Sequence, residues 1–306
     1  MTHSAHNRGL AAGVTAFLMW GFVAEYFQLL IDRGVTADVL LAHRVVWSTV
    51  FCGLIVALSG GVRPLILLLR DRDRVGRLAV SAVLIAINWL AFIYAIQTNQ
   101  RTDAVLGYFI NPLVSVALAV LIVKERLSPV KWLSVALAAV GVTMIVLASG
   151  GRVPWIAATL AGSFAFYGLV RKFTAVEPVL GLTVETALLV PVAIGYLLWN
   201  GPADAAEMSP STYGLLILAG VVTAIPLILF GYAARRLPLG TTGFLQYLAP
   251  TCQLLMAVLW RGEPIRHRIG GFVLIWAALL LFSVSGMRRS RRAASGSLSR
   301  VPTGEG

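Results

Sequence analysis

The sequence predicts an all-α polytopic membrane protein of ten transmembrane helices, arranged as two inverted five-helix repeats. Three observations predict it. Apolar residues make up 58% of the 306-residue chain and charged ones only 12%, whereas about a quarter of an average water-soluble domain is charged. Apolar runs of about 20 residues, the length that crosses a bilayer, recur from one end of the chain to the other. Side chains of the first half also recur in the second at a constant offset. Ten such runs leave no room for a large soluble catalytic domain.

Charges and Gly/Pro punctuation divide the runs into spans. These are 10–30, 36–59, 75–97, 102–123, 129–148, 153–172, 178–199, 211–232, 238–260 and 267–287. Residues 1–9 form a polar cytoplasmic N-terminus. No small-residue cleavage site follows the first apolar run, which is read as a retained span and not a signal peptide. With the N-terminus inside, eighteen Lys and Arg fall on the inner side and six on the outer. That bias puts both termini in the cytoplasm, although Arg261, Arg266 and Arg268 crowd one outer loop. The net charge of +12 then reflects topology and anionic lipid at the cytoplasmic loops and tail, with no nucleic-acid partner. Residues 10–150 make the first half and 151–287 the second. The stretch 288–306, rich in Arg, Ser and Gly, is expected to be a disordered basic tail lying against anionic headgroups.

An offset of 138 places Phe92 on Phe230, Tyr94 on Tyr232, Pro112 on Pro250 and Glu125 on Glu263. A separate offset places Phe17, Trp20 and Gly21 on Phe164, Tyr167 and Gly168. Matched alanines and valines mean little between apolar helices, but a Pro and a Glu thirteen residues apart in each half are harder to match by chance. Each half holds five spans, and because five is odd the second copy enters the membrane from the opposite face. Many secondary transporters are built this way, with the solute site near the midplane. A duplicated scaffold without transport is the bland alternative.

An ionisable side chain at bilayer depth costs at least about 2.5–3.5 kcal/mol, and so asks for a partner or a wet cavity. Glu25, His43, Arg44 and Glu185 fall in this class and are the candidates for charge or proton coupling. At 1.5 Å per residue, Glu25 and Arg44 lie about 8–12 Å deep from the same side, so an ion pair between them is geometrically open, as a static clamp or as a substrate or proton contact. Glu185 lies near Arg171 and Lys172, where a structural ion pair is expected. His43 could titrate near neutral pH as a proton relay, but a histidine beside an arginine is more often a packing residue.

Asn88, Trp89 and Gln97 in span 3 call for a helix face turned toward protein or a cavity. Pro112 in span 4 frees the carbonyl of Tyr108, and Pro250 in span 9 frees that of Gln246. Such interrupted segments at matching positions are the best sequence pointer to a transport site. Trp89, Tyr108, Asn111, Gln246 and Tyr247 are therefore expected to line it, with Pro112 and Pro250 as hinges. Pro-kinked packing is the competing reading. Cys52 and Cys252 show no metal-binding or disulfide spacing, and no GxxxxGK[ST] loop occurs for ATP; no metal or cofactor is expected.

The residues also carry a resemblance. Trp20-Gly21, Ala42-His43-Arg44, Asn88-Trp89-Leu90, the run Leu106–Val114 and Lys124-Glu125-Arg126 resemble the first half of RarD proteins, of the EamA family in the drug/metabolite transporter superfamily. In the second half Phe166–Lys172, Glu185-Thr186, Pro226-Leu227, Gly243–Tyr247, Ala249-Pro250-Thr251 and Gly262-Glu263 continue it, so that it spans about residues 8–286. The sequence departs from the family pattern in span 1, with Ala24 and Gln28 where a proline and a lysine are expected, and Glu25 as an added acid. The resemblance implies a bacterial inner-membrane carrier of two inverted five-helix halves. It would export small metabolites, amino-acid-like compounds or drugs, with proton or exchange coupling open. A polytopic membrane enzyme, or a channel or sensor on the same scaffold, is the rival; the enzyme lacks a cluster of acids, histidines or metal ligands at membrane depth.

Overall fold

The computed structural model describes residues 3–98, 100–148, 150–151, 153–261 and 269–298. Among them the chain forms twelve helices and no strand: α1 (His3–Ile31), α2 (Ala37–Leu58), α3 (Val62–Arg70), α4 (Arg72–Gln97), α5 (Arg101–Leu121), α6 (Pro129–Ala148), α7 (Trp155–Phe173), α8 (Pro178–Glu207), α9 (Pro210–Arg236), α10 (Leu239–Leu245), α11 (Leu248–Arg261) and α12 (Ile269–Leu298).

Seven of these helices, α1, α2, α4, α5, α6, α8 and α9, are long and apolar enough to cross a bilayer. Their outward faces carry large apolar side chains such as Leu58, Val192 and Leu198, each more than 70% exposed. Lipid is the solvent such faces require. The chain is a multi-pass membrane protein. The other three expected spans are weaker for separate reasons. α7 carries Arg171 and Lys172 in its last turn, the span expected over 238–260 is divided into α10 and α11, and in α12 the described residues give an apolar stretch of Ile269–Phe282.

The structure also departs from expectation between spans 2 and 3. The loop there holds a nine-residue helix, α3, with Arg63 and Arg70 near its ends and Ile66, Leu67 and Leu69 exposed. At about 1.5 Å per residue it is about half the thickness of the hydrocarbon core, too short to cross it. At the other end of the chain, α12 continues through Leu298, into the stretch expected to be unstructured. The arginines and alanines there are good helix formers. Residues 299–306 and 262–268, with Glu263, the expected mate of Glu125, lie outside the described residues.

Helix pairing follows an exchange pattern. Let α1, α2, α4, α5 and α6 trade places in order with α7, α8, α9, α10–α11 and α12. The packing of α1 on α9 then becomes that of α7 on α4, α1 on α11 becomes α7 on α5, and α2 on α9 becomes α8 on α4; α2 on α8, α5 on α10 and α6 on α12 map onto themselves. Small residues allow these crossings. A Cβ on Gly107 would lie 3.0 Å from the Ala157 carbonyl oxygen, and one on Gly220 would lie 2.4 Å from the Trp47 carbonyl carbon.

A polar clasp joins distant segments at one end of the bundle. After Lys124, whose φ of +59° is left-handed, the Glu125 carboxylate accepts hydrogen bonds from the backbone N–H groups of Leu239 (2.5 Å) and Gly240 (3.0 Å). It thereby caps the first turn of α10, where an anion suits both the orphan donors and the helix dipole. Lys172 Nζ lies 4.0 Å from the same carboxylate and donates to the Leu237 carbonyl at 2.8 Å.

Candidate functional site

A cavity with about 850 Å³ of unfilled space, mouth included, lies among α1, α2, α4, α5, α7, α9 and the α10–α11 segment. Proline shapes three of its walls. Pro112 sits inside α5, Pro226 inside α9 and Pro250 in the first turn of α11. Each removes the N–H that would pair with the carbonyl four residues earlier, and those residues, Tyr108, Val222 and Gln246, all line the cavity. The two expected hinges differ. α5 runs unbroken through Pro112, whereas α10 ends at Leu245 and α11 starts at Leu248, so the break precedes Pro250 at Gln246 and Tyr247. A proline in a first turn removes a donor that is orphaned there anyway.

Of the five residues expected to bind solute, Trp89, Tyr108, Asn111 and Gln246 line the cavity. Tyr247 does not. It is fully buried against Phe244 in the cluster that includes Phe109 and Phe272, and its hydroxyl has no hydrogen-bond partner. The offset of 138 relates lining residues in pairs: Ile85 with Thr223, Trp89 with Leu227, Tyr108 with Gln246, and Asn111 with Ala249. A deep polar chain runs from Gln246 Nε2, which donates to Ser115 Oγ (3.1 Å), to Ser115 Oγ, which donates weakly to Asn111 Oδ1 (3.5 Å). Asn88 Nδ2 donates to the Leu160 carbonyl and to Ser163 Oγ, both at 3.0 Å, and ties α4 to α7.

Four charged or titratable candidates separate clearly. Arg44 lines the cavity, with Nε donating to Thr223 Oγ1 at 2.9 Å and its guanidinium 4.3 Å from the Phe27 ring centroid and 4.9 Å from that of Trp89. Ala24 lines the cavity and its neighbour Glu25, about 100° further round the helix, does not; no Glu25–Arg44 ion pair stands among the described residues. His43 packs edge-on to Tyr213, and its Nδ1 accepts from Trp47 Nε1 at 3.2 Å. Glu185 is fully buried away from the cavity. It meets Arg171 Nη1 at 3.1 Å and accepts from Ser81 Oγ (2.6 Å) and Tyr167 (3.3 Å).

Thr223, Phe27 and Phe164 are lining residues that sequence reasoning passed over. Neutral side chains such as these cost little in lipid and leave no burial signal. Applying the repeat offset to Ile85 would have reached Thr223.

The fold and much of the sequence recur in known proteins. A model of the EamA-like transporter family matches residues 7–147, which is nearly the expected first half. Protein RarD of Escherichia coli K12 is 41% identical over 94% of this chain and 98% of its own. Protein RarD of Streptomyces exfoliatus is 42% identical over 96% and 94%, and a Vibrio cholerae protein described as an uncharacterized transporter is 41% identical over 94% and 95%. A solved structure titled only as the crystal structure of a protein superposes with a TM-score of 0.68, covering 94% of this chain and 99% of that one at 20% identity; it speaks to the fold alone.

Proposed function

Because the chain belongs to the EamA-like transporter family, among its RarD members, we propose that it is a secondary carrier of the bacterial inner membrane. It would move a small solute by alternating access, with the solute held in the cavity described above. One observation carries the reading: the cavity is built from residue pairs related by the repeat offset, at a helix break and beside two helices that each carry an internal proline. That is where inverted-repeat carriers place their solute.

In this reading α1, α2, α4, α5 and α6 form one five-helix half, residues 10–150, and α7 to α12 the other, residues 151–287. The exchange pattern of helix pairing supports the division, and the odd number of spans per half makes the repeat inverted, with both termini in the cytoplasm. Trp89, Tyr108, Asn111 and Gln246 contact solute, Arg44 meets its charged group, and Tyr247 shapes the break from behind. Pro112 and Pro250 supply the flexure. Glu25, His43 and Glu185 stand as candidate proton carriers. The Glu125 clasp and the Ser81–Glu185 hydrogen bond each join one half to the other on the side of the cavity where α5 and α7 end, so parting of the halves there has to break them. Small metabolites, amino-acid-like compounds or drugs are the solute class, and export is the direction.

The decisive assay is counterflow in proteoliposomes. Saturable exchange is expected from the carrier, and unsaturable conductance would indicate a channel. Arg44→Ala should insert normally and lose at least tenfold in exchange rate; unchanged exchange would remove Arg44 from the mechanism. Single cysteines at positions 125 and 263 should be labelled from opposite faces of the membrane. Labelling from a common face would overturn the inverted arrangement.

A further inference from the structure

Two buried arginines are served differently in this bundle. Arg171 meets a carboxylate, that of Glu185, at 3.1 Å. Arg44 meets none within 4.0 Å among the described residues, although it is only 6% exposed. Its Nε–H is taken by Thr223, and the rings of Phe27 and Trp89 lie against its guanidinium. Those contacts hold the group and orient it without using the paired N–H donors of its Nη edge. Among the described residues every other side chain lining the cavity is formally uncharged, so the lining they form carries one positive charge. A second group also waits for a partner. Gln246 Oε1 is buried without a donor, while the amide's other end is committed to Ser115.

We propose that the cavity selects organic monoanions with a ring-bearing apolar body. This rests on the reading of the cavity as the solute site and names what that site accepts. The carboxylate docks on the Nη edge of Arg44, where a planar fork meets a planar oxyanion with two parallel hydrogen bonds. The body lies among Trp20, Phe27 and Trp89, and a neutral donor remote from the carboxylate, a hydroxyl or an indole N–H, donates to Gln246 Oε1. The low dielectric of the site strengthens the charge contact, and the same field rejects organic cations. Binding an anion also neutralises the site, so loaded and empty forms present different charge to the lipid when the halves move.

The test uses the purified full chain in detergent and a matched panel: phenylacetate, 4-hydroxyphenylacetate and indole-3-acetate, their primary amides, and the amines of the same skeletons. Thermal stabilisation reports binding for the whole panel, and quenching of tryptophan fluorescence reports it for the members without an indole. The acids should half-saturate at concentrations at least tenfold below their amides, and the amines should bind more weakly still. Arg44→Gln should erase the difference between acid and amide. Arg44→Lys, which keeps the charge but not the fork, should retain part of it and guards against a folding defect in the first variant. Equal binding of acids and amides, a preference for amines, an acid preference that survives in Arg44→Gln, or no acid binding into the millimolar range would each overturn the proposal. Counterflow with the same panel separates it from the carrier reading. Saturable exchange of amides or amines alone would sink the anion preference and leave the carrier standing. Acids that bind through Arg44 but are never exchanged would do the reverse.

Discussion

Glu185→Gln is expected to destabilise the bundle by about 3–5 kcal/mol, the cost of leaving one member of a buried ion pair unmatched. The shape at position 185 barely changes, so the loss is electrostatic. Arg171 cannot swing away to water: a Cβ on Gly181 would lie 2.2 Å from its Nη1 and one on Gly231 2.6 Å from its Nη2, so both glycines exist at the contact surface of the guanidinium. Its Nε is already buried without an acceptor, and its remaining hydrogen bond, from Nη2 to the Pro178 carbonyl, is 3.4 Å long. Denaturation of the purified protein by titrated detergent should show the drop. The double variant Arg171→Met with Glu185→Leu should recover most of it, because two apolar side chains carry no unmatched charge. A double variant as unstable as Glu185→Gln would mean that packing, and not charge, sets the effect.

Gly220→Ala should cost about 1–3 kcal/mol, as an overpacked contact does, and damage the cavity as well. The added Cβ would fall 2.4 Å from the carbonyl carbon of Trp47 and 2.6 Å from the Ser48 nitrogen. These are backbone atoms of α2, which cannot rotate aside. The helices must separate, and the Ser48 Oγ–Gly220 carbonyl hydrogen bond of 3.0 Å goes with them. Arg44 lies one turn before Ser48 and Thr223 one turn after Gly220, so the same separation stretches the Arg44–Thr223 bond. Gly195→Ala is the control, since nothing lies within 4 Å of a Cβ there and alanine is the better helix former. Melting temperatures of the two variants should diverge; equal values would show that the α2–α9 crossing tolerates a methyl group.

The parts of the site that were legible in the sequence are those that are expensive in lipid. Asn111, Gln246 and Arg44 announce themselves by desolvation, and Pro112 and Pro250 by the donor they lack. What stayed hidden is azimuth. Glu25 and Arg44 share a depth, but depth does not say which way each helix is turned, and Arg44 met two rings and a hydroxyl in place of the acid. Tyr247 failed for a related reason: it falls in the break between α10 and α11, where helical periodicity no longer relates one side chain to the next. Glu185 was legible with its partner because Arg171 occupies the same end of the adjacent helix. α3 was masked by its own arginines, which make a short helix with exposed apolar side chains read as a charged loop.

The Glu125 cap has a bearing on where the floor of the cavity lies. α10 is seven residues long, about 10 Å at 1.5 Å per residue, and a helix that short has little stability of its own. Its origin is pinned by a carboxylate more than a hundred positions away in the chain, and the Gln246–Tyr247 break comes one short helix later. Glu125 thus serves as a surveyor's datum: the level of Gln246 is measured off from it, and any slippage at that mark is carried undiminished to the amide.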